Sequence, residues 1–257
     1  MIDSDIQTNS IDRFRRLRIL LGDEACERLT GSLVMVVGLG AVGSYATEGL
    51  ARAGVGRLRL VDFDTVGLTN INRQLYALES TLGRPKCEVA LERVLDINPS
   101  CKVEAIRGFV DSVSINEYLA DKPDLVIDAI DSLNPKVDLI TAVRTAGIPI
   151  ISCLGAAMRF DPTCVRTGPI SQSNGCPLGR AVRKRLRRRG VPLDFPCVYS
   201  EEPLPNPLPR IAPVERLAEE TPFERGRTRD ILGSMPTITG IFGLTAANLA
   251  IRTLTQR

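Results

Sequence analysis

From residue 33 onward the chain alternates short β-branched runs with longer stretches of helix-like spacing. LVMVV (33–37) is an uninterrupted apolar run ended by Gly38, Ala41–Ala53 reads as a helix closed by Gly54, and RLRLVD (57–62) is a second strand. Pro85 suits the first turn of a helix over Lys86–Asp96, because its missing N–H costs nothing there, and Asn98-Pro99 ends that helix. KVEAI (102–106), DLVIDAI (124–130) and IPIIS (148–152) are further strands, with helices near 113–120 and 135–146. Continuous apolar strands separated by helices predict an α/β fold, doubly wound, with a mostly parallel sheet and helices on both faces.

After residue 155 the pattern changes. Residues 156–170 have strand character and predict an antiparallel C-terminal extension, while Pro177–Arg189 reads as a cationic helix. Residues 192–222 hold eight of the seventeen prolines, which predicts a long loop or crossover. Residues 231–251 are uncharged for twenty-one positions, long enough in principle to span or associate with a bilayer. Three glycines, a proline and several hydroxyls make it a poor span, so a buried core or interface helix from Pro236 is expected. The whole chain, 1–257, reads as a single domain: a core at 32–155, then basic helix, Pro-rich crossover and C-terminal helix over 156–257.

Composition narrows the chemistry. The 257 residues include no histidine, which removes Ser-His-Asp and Cys-His catalysis and imidazole-based zinc sites. Seven scattered cysteines without a C-x-x-C argue against a disulfide framework or a thiolate zinc site, so no zinc is expected. The N-terminus carries no apolar signal core, and a reducing cytoplasm is expected. Net charge is +3, yet residues 180–189 (RAVRKRLRRR) carry seven cations and no anion, leaving −4 for the rest of the chain. Local basicity of this kind points to a polyanion.

Three clusters carry candidate chemistry. GLGAVG (38–43) lies between a strand and a helix, and Asp62 ends the next strand 24 residues beyond Gly38. Glycines let phosphate approach backbone N–H groups at a helix N-terminus, and a carboxylate at the second strand tip can bind ribose hydroxyls, so Gly38, Gly40, Ala41, Gly43 and Asp62 form a candidate nucleotide site in a Rossmann-like fold. Taken alone, this favours an NAD-dependent dehydrogenase. The loop after Asp62, FDTVGLTNINRQ, then adds Asp64, Asn70, Asn72 and Arg73, and GRPK adds Lys86. Two extra cations beside the pocket suit a gripped triphosphate whose leaving pyrophosphate must be neutralised; the alternative is two solvated surface charges. Third, DAIDS places Asp128, Asp131 and Ser132 at a strand tip, where a carboxylate can carry Mg²⁺ or simply cap the next helix.

Taken in order, GLGAVGSYATEGLARAGVGRLRLVDFDTV, NINRQ, GRPK, INP and VIDAIDS resemble the adenylate-forming superfamily of ubiquitin-activating enzymes and the bacterial enzymes that adenylate sulfur-carrier proteins. The resemblance implies that Asp62 binds the ATP ribose, that Asn70, Arg73 and Lys86 hold the phosphates, and that Asp131 binds Mg²⁺. It further implies a homodimer in which Arg16, with Arg18 as neighbour, reaches the partner subunit's ATP. Arg16, Arg73, Lys86 and Asp131 are then the catalytic candidates.

CPLGRAVRKRLRRRG followed by CVYSEEP is similar to the tRNA threonylcarbamoyladenosine dehydratases, as is the C-terminal GSMPTITGIFGLTAANLAI. That resemblance implies ATP-driven activation of the threonylcarbamoyl carboxylate on a tRNA adenosine and its cyclisation to an oxazolone. The activated nucleophile is the substrate's own carboxylate, so no histidine is required. Arg180, Arg183, Lys184, Arg187 and Arg188 become candidates for contact with the tRNA backbone, while Leu178, Val182 and Leu186 form an inward stripe. An adenylating enzyme for a ubiquitin-like sulfur carrier is the alternative, and a sulfur-acceptor protein stays open as a partner. The stretch RDILGSM before the last helix has no cysteine, so a thioester-forming thiol is not indicated, and Cys176 and Cys197 read as structural or incidental.

Overall fold

A computed structural model describes residues 12–111, 113–205 and 232–256. Two N-terminal helices, α1 (Arg15–Leu21) and α2 (Asp23–Gly31), precede β1 (Leu33–Val37), α3 (Gly43–Arg52) and β2 (Arg57–Val61). Then come α4 (Lys86–Ile97), β3 (Lys102–Ile106), α5 (Ser114–Tyr118), β4 (Leu125–Asp128), α6 (Leu133–Thr145) and β5 (Ile150–Cys153). The C-terminal part adds β6 (Val165–Pro169), α7 (Pro177–Arg188), β7 (Pro196–Ser200) and α8 (Pro236–Thr255).

The strands form one seven-stranded sheet in the order β3-β2-β1-β4-β5-β7-β6. All neighbours run parallel except β6, which pairs antiparallel with β7 from Val165↔Ser200 to Pro169↔Pro196. The α/β doubly wound expectation and its antiparallel extension therefore hold. Two differences stand out. Only 165–169 of the 156–170 stretch is strand, and β7 occupies part of the proline-rich stretch expected to be irregular. Pro196 and Pro169 sit at strand ends, where a missing N–H breaks no interior ladder. Residues 206–222 of that stretch lie outside the described residues.

Strand alternation feeds two cores. Val34, Val36, Leu58, Leu60 and Ile127 point to the face covered by α2, α3, α4 and α8. Met35, Val37, Val61 and Val126 point to the face covered by α5, α6 and α7. Helix α8 buries Ile238, Phe242, Ala246 and Ala250 in the first core, and Gly49 and Gly243 let it approach α3: a Cβ on Gly243 would lie 2.3 Å from the Val42 carbonyl oxygen. Among the described residues no helix is long and apolar enough to cross a membrane.

Sequence order reverses between β1 and β4: β2 and β3 lie on one side of β1, β4 and β5 on the other. The loops leaving the carboxyl ends of these two strands part there, which makes their crevice the natural ligand position in such a sheet.

Candidate active site

The turn after β1 is set by steric need. Gly38 adopts φ +88°, its N–H donates to the Val61 carbonyl at 2.9 Å, and a Cβ there would lie 2.8 Å from the Ala129 carbonyl oxygen after β4. A Cβ on Gly43 would lie 1.7 Å from the Gly38 carbonyl oxygen, so the last glycine lets the helix start fold back on the turn. Gly40 differs: its nearest neighbour would be the Gln74 side chain at 3.6 Å, so its bareness leaves space above the backbone. Gly40 and Ala41 are partly exposed, and no side chain caps α3, whose first N–H groups are the anion-seeking end of a helix.

Asp62 closes this loop. Its Oδ2 accepts the Leu39 N–H at 2.6 Å and its Oδ1 accepts the Asp64 N–H at 2.8 Å. Burial pushes its pKa up, Lys86 opposes that, and Asp64 adds to it. Lys86 is no solvated surface cation: it is 5% exposed, opens α4, and places Nζ 3.0 Å from Asp64 Oδ2. Asn70 Oδ1 accepts the Gly67 N–H at 3.1 Å and its carbonyl accepts the Arg73 and Gln74 N–H groups, so it builds the loop. Half-buried Arg73 donates from Nη1 to the Thr69 carbonyl at 2.8 Å and to Asn72 Oδ1 at 2.9 Å. Asn72 Nδ2 reaches the Ser234 carbonyl at 3.3 Å, tying this loop to the segment ahead of α8.

Beyond β4 the two aspartates separate in role. Asp131 is exposed, with Ser132 Oγ 3.3 Å from its Oδ1. Asp128 is fully buried and neither caps α6 nor faces a cation from solvent; Ser132 occupies the cap position. Asp128 Oδ2 lies 2.8 Å from Lys136 Nζ and accepts Ser152 Oγ–H at 2.6 Å, while Oδ1 accepts the Ile130 N–H at 3.1 Å. Lys136 Nζ also donates to the Ile130 carbonyl at 2.8 Å, so the turn carrying Asp131 is clamped from beneath. Sequence reasoning missed Lys136 and Ser152; the one available signal is a lysine in the first turn of an otherwise apolar helical face.

The basic helix divides its cations between two tasks. Val182 and Leu186 are buried as the stripe requires. Arg183, expected to face a polyanion, is half-buried and donates to Ser173 Oγ, because its position borders the inward stripe. Arg185 donates to Asn134 Oδ1 and Arg189 pairs with Asp138 at 2.7 Å, fastening α7 to α6. Arg180, Lys184, Arg187 and Arg188 are exposed and have no side-chain partner among the described residues. Near the N-terminus, Arg18 pairs with Asp12 and Asp23 at 2.9 and 3.0 Å, whereas exposed Arg16 has no such partner among the described residues. Cys176 Sγ caps α7 by accepting the Gly179 N–H at 3.3 Å and also takes the Gly155 N–H at 3.4 Å, and Cys197 is fully buried in β7. Burial pushes the Cys197 and Cys153 thiols up to about 12, so both are held protonated.

A shallow cavity of about 380 Å³ lies at the amino ends of β4 and β5, lined by Arg144, Ile148, Asp194 and Phe195. It is at the opposite edge of the sheet from the crevice and gathers none of the residues above.

Comparison with known proteins agrees with this fold. The profile described as the ThiF family matches residues 13–257. The tRNA threonylcarbamoyladenosine dehydratase of Bacillus subtilis is 41% identical over 192 residues, 75% of this chain and 76% of that protein. Its Escherichia coli namesake is 34% identical over 247 residues, 93% of this chain and 92% of that one. The crystal structure of E. coli tRNA N6-threonylcarbamoyladenosine dehydratase in complex with ATP matches with a TM-score of 0.82 at 32% identity, covering 95% of this chain and 94% of that chain.

Proposed function

The chain belongs to the ThiF family, and from that premise we propose that it is an ATP-dependent tRNA threonylcarbamoyladenosine dehydratase acting in the cytoplasm. The observation that carries this reading is mechanical. Helix α7, with its outward Arg180, Lys184, Arg187 and Arg188, is fastened through Arg185 and Arg189 to α6, the helix that begins directly after the Asp131 turn. A polyanion seated on α7 is thereby held at a fixed position relative to the phosphate crevice. On this reading the nucleotide core (32–155) and the C-terminal part (156–257) work as one domain, a reading supported by the bonds from Arg185 and Arg189 to α6.

The roles follow from chemistry at each place. The glycine turn and the start of α3 take phosphate oxygens, and Asp62, fixed by two backbone donors, accepts ribose hydroxyls with its remaining lone pairs. Lys86 leaves Asp64 for the triphosphate, joined by Arg73, with Asn72 setting the Arg73 side chain. The substrate carboxylate attacks the α-phosphorus and pyrophosphate departs. The carbamoyl oxygen then closes onto the activated carbonyl, AMP leaves with the former carboxylate oxygen, and one proton is released.

The donor set fits magnesium of one kind only. Asp131 offers a single exposed carboxylate beside Ser132, and no group of three acids or thiolates that could hold a metal stands among the described residues. Such a donor suits Mg²⁺ carried in by phosphates and keeping its waters, where it would neutralise phosphate charge. Arg16, without an ion-pair partner among the described residues and on a short helix that also exposes Ile19 and Leu20 at 77% and 69%, is assigned to the nucleotide of a second subunit in a homodimer.

The test is AMP release with tRNA carrying or lacking the threonylcarbamoyl group. Release confined to the modified tRNA is expected; release with a ubiquitin-like carrier instead would transfer the assignment to sulfur-carrier adenylation.

A further inference from the structure

The carboxyl edge of the sheet holds one more cation that the nucleotide site does not use. Arg159, six residues past β5, is 3% exposed and donates from Nη2 to the Gly175 carbonyl at 2.6 Å, while its Nε and Nη1 are buried without a hydrogen-bond partner. The nearby carboxylates are engaged elsewhere: Glu202 Oε2 accepts the Phe160 and Asp161 N–H groups, and Glu201 meets Arg166 and Asn174. Two other arginines leave a buried Nε unpaired, but Arg28 has Glu24 at 2.6 Å and Arg144 has Asp194 at 2.6 Å. Arg159 is set apart from both by having no carboxylate partner among the described residues. A guanidinium taken out of water with two donors unused is strongly disfavoured unless an anion completes it.

Its place says which anion. β5 neighbours β4, whose end leads to Asp131. The Met158 N–H donates to the Gly233 carbonyl at 2.8 Å, and the next carbonyl, Ser234, accepts Asn72 Nδ2, so two consecutive residues join the neighbour of Arg159 to the phosphate loop. On its other side, Arg159 holds the carbonyl of Gly175, two residues before α7 begins. Arg159 thus stands between the nucleotide crevice and the basic helix.

Resting on the function proposed above, we infer that Arg159 receives an anionic oxygen of the tRNA-borne substrate, the carboxylate to be activated or an adjoining phosphate. A guanidinium presents planar, permanently charged donors suited to either group.

Arg159→Met and Arg159→Lys test this with three readouts. Arg159→Met is expected to melt no lower than the parent, to bind ATP within about twofold by calorimetry, and to raise KM for the modified tRNA by about 10- to 100-fold, the loss typical of a charge-assisted hydrogen bond. Arg159→Lys restores part of that loss. Unchanged affinity for unmodified tRNA assigns the carboxylate, and a parallel fall in that affinity assigns the phosphate. Unchanged KM with unchanged tRNA affinity overturns the inference, as does a lowered melting temperature accompanied by an equal loss of ATP binding, which marks a structural arginine. Should the parent release no AMP with modified tRNA, the proposed function fails, while the tRNA-affinity arm still reads Arg159 by itself.

Discussion

The phosphate crevice and the basic helix both concentrate charge, but they hold it in opposite ways. In the crevice, Asp62, Lys86, Asp128 and Lys136 are buried and each meets a partner within about 3 Å. On α7 the cations that have partners serve as fasteners, and those facing outward have none among the described residues. Buried, paired charge gives position at the cost of desolvation, which chemistry on a small phosphate requires. Exposed, unpaired charge gives affinity without demanding register, which suits a long polyanion.

The sharpest way to break this contrast is beneath the crevice. Lys136→Met leaves Asp128 buried and uncompensated, and unfolding in denaturant is expected to show a loss of about 3–5 kcal/mol. Removing both charges in Lys136→Met/Asp128→Asn is expected to recover much of it; a single variant as stable as the parent would show that the pair clamps nothing. Next comes Lys86→Ala, for which kcat/KM is expected to fall about 10²- to 10³-fold while tRNA affinity stays unchanged in filter binding. A matching fall in tRNA affinity would merge the two regions the account separates.

On the helix, Arg187→Ala/Arg188→Ala is expected to weaken tRNA of any sequence, modified or not, and to flatten the salt dependence of binding by about 2 in log–log slope. ATP affinity is expected to stay at the parental value. Arg185→Ala, which cuts a fastener, should instead lower turnover more than tRNA affinity.

The smallest effects concern pH. Burial pushes Glu48 up, but hydrogen bonds from Arg93 and Arg52 outweigh it and hold its pKa below 4.5. Its contribution to stability is therefore present above 4.5 and lost as pH falls through the lowered folded value. Asp62 runs the other way: raised above 3.8 by burial, it favours the folded state below that value and loses this contribution as pH rises through its folded pKa. Glu48→Gln should thus flatten the acid limb of the stability profile, and Asp62→Asn should raise stability relative to the parent as pH increases from that limb; the same slope change in both variants would contradict the assignment.

Much of this was legible because its signals are local. Gly38, Gly43 and Asp62 belong to one βαβ unit whose spacing is set by helix and strand lengths, and the apolar runs reported both faces of the sheet. What the sequence did not reveal depends on partners far apart in the chain. Lys136 looks like an ordinary helical lysine until it meets Asp128, itself held by Ser152 from the next strand, and Arg159 looks like an ordinary loop arginine until the fold buries it against the Gly175 carbonyl. β7 was hidden by prolines, of which Pro196 opens the strand while Pro192, Pro203 and Pro205 lie outside it, and Arg183 by a helix stripe wider than three apolar positions.

The most direct measurement pairs AMP release with mass spectrometry of the tRNA nucleosides in one reaction containing this protein, ATP, magnesium and threonylcarbamoyl-modified tRNA. One AMP released for each open nucleoside converted to its cyclic form, and none with unmodified tRNA, is the predicted result. AMP release that is indifferent to the threonylcarbamoyl group, or that proceeds with no cyclic nucleoside formed, would contradict the account.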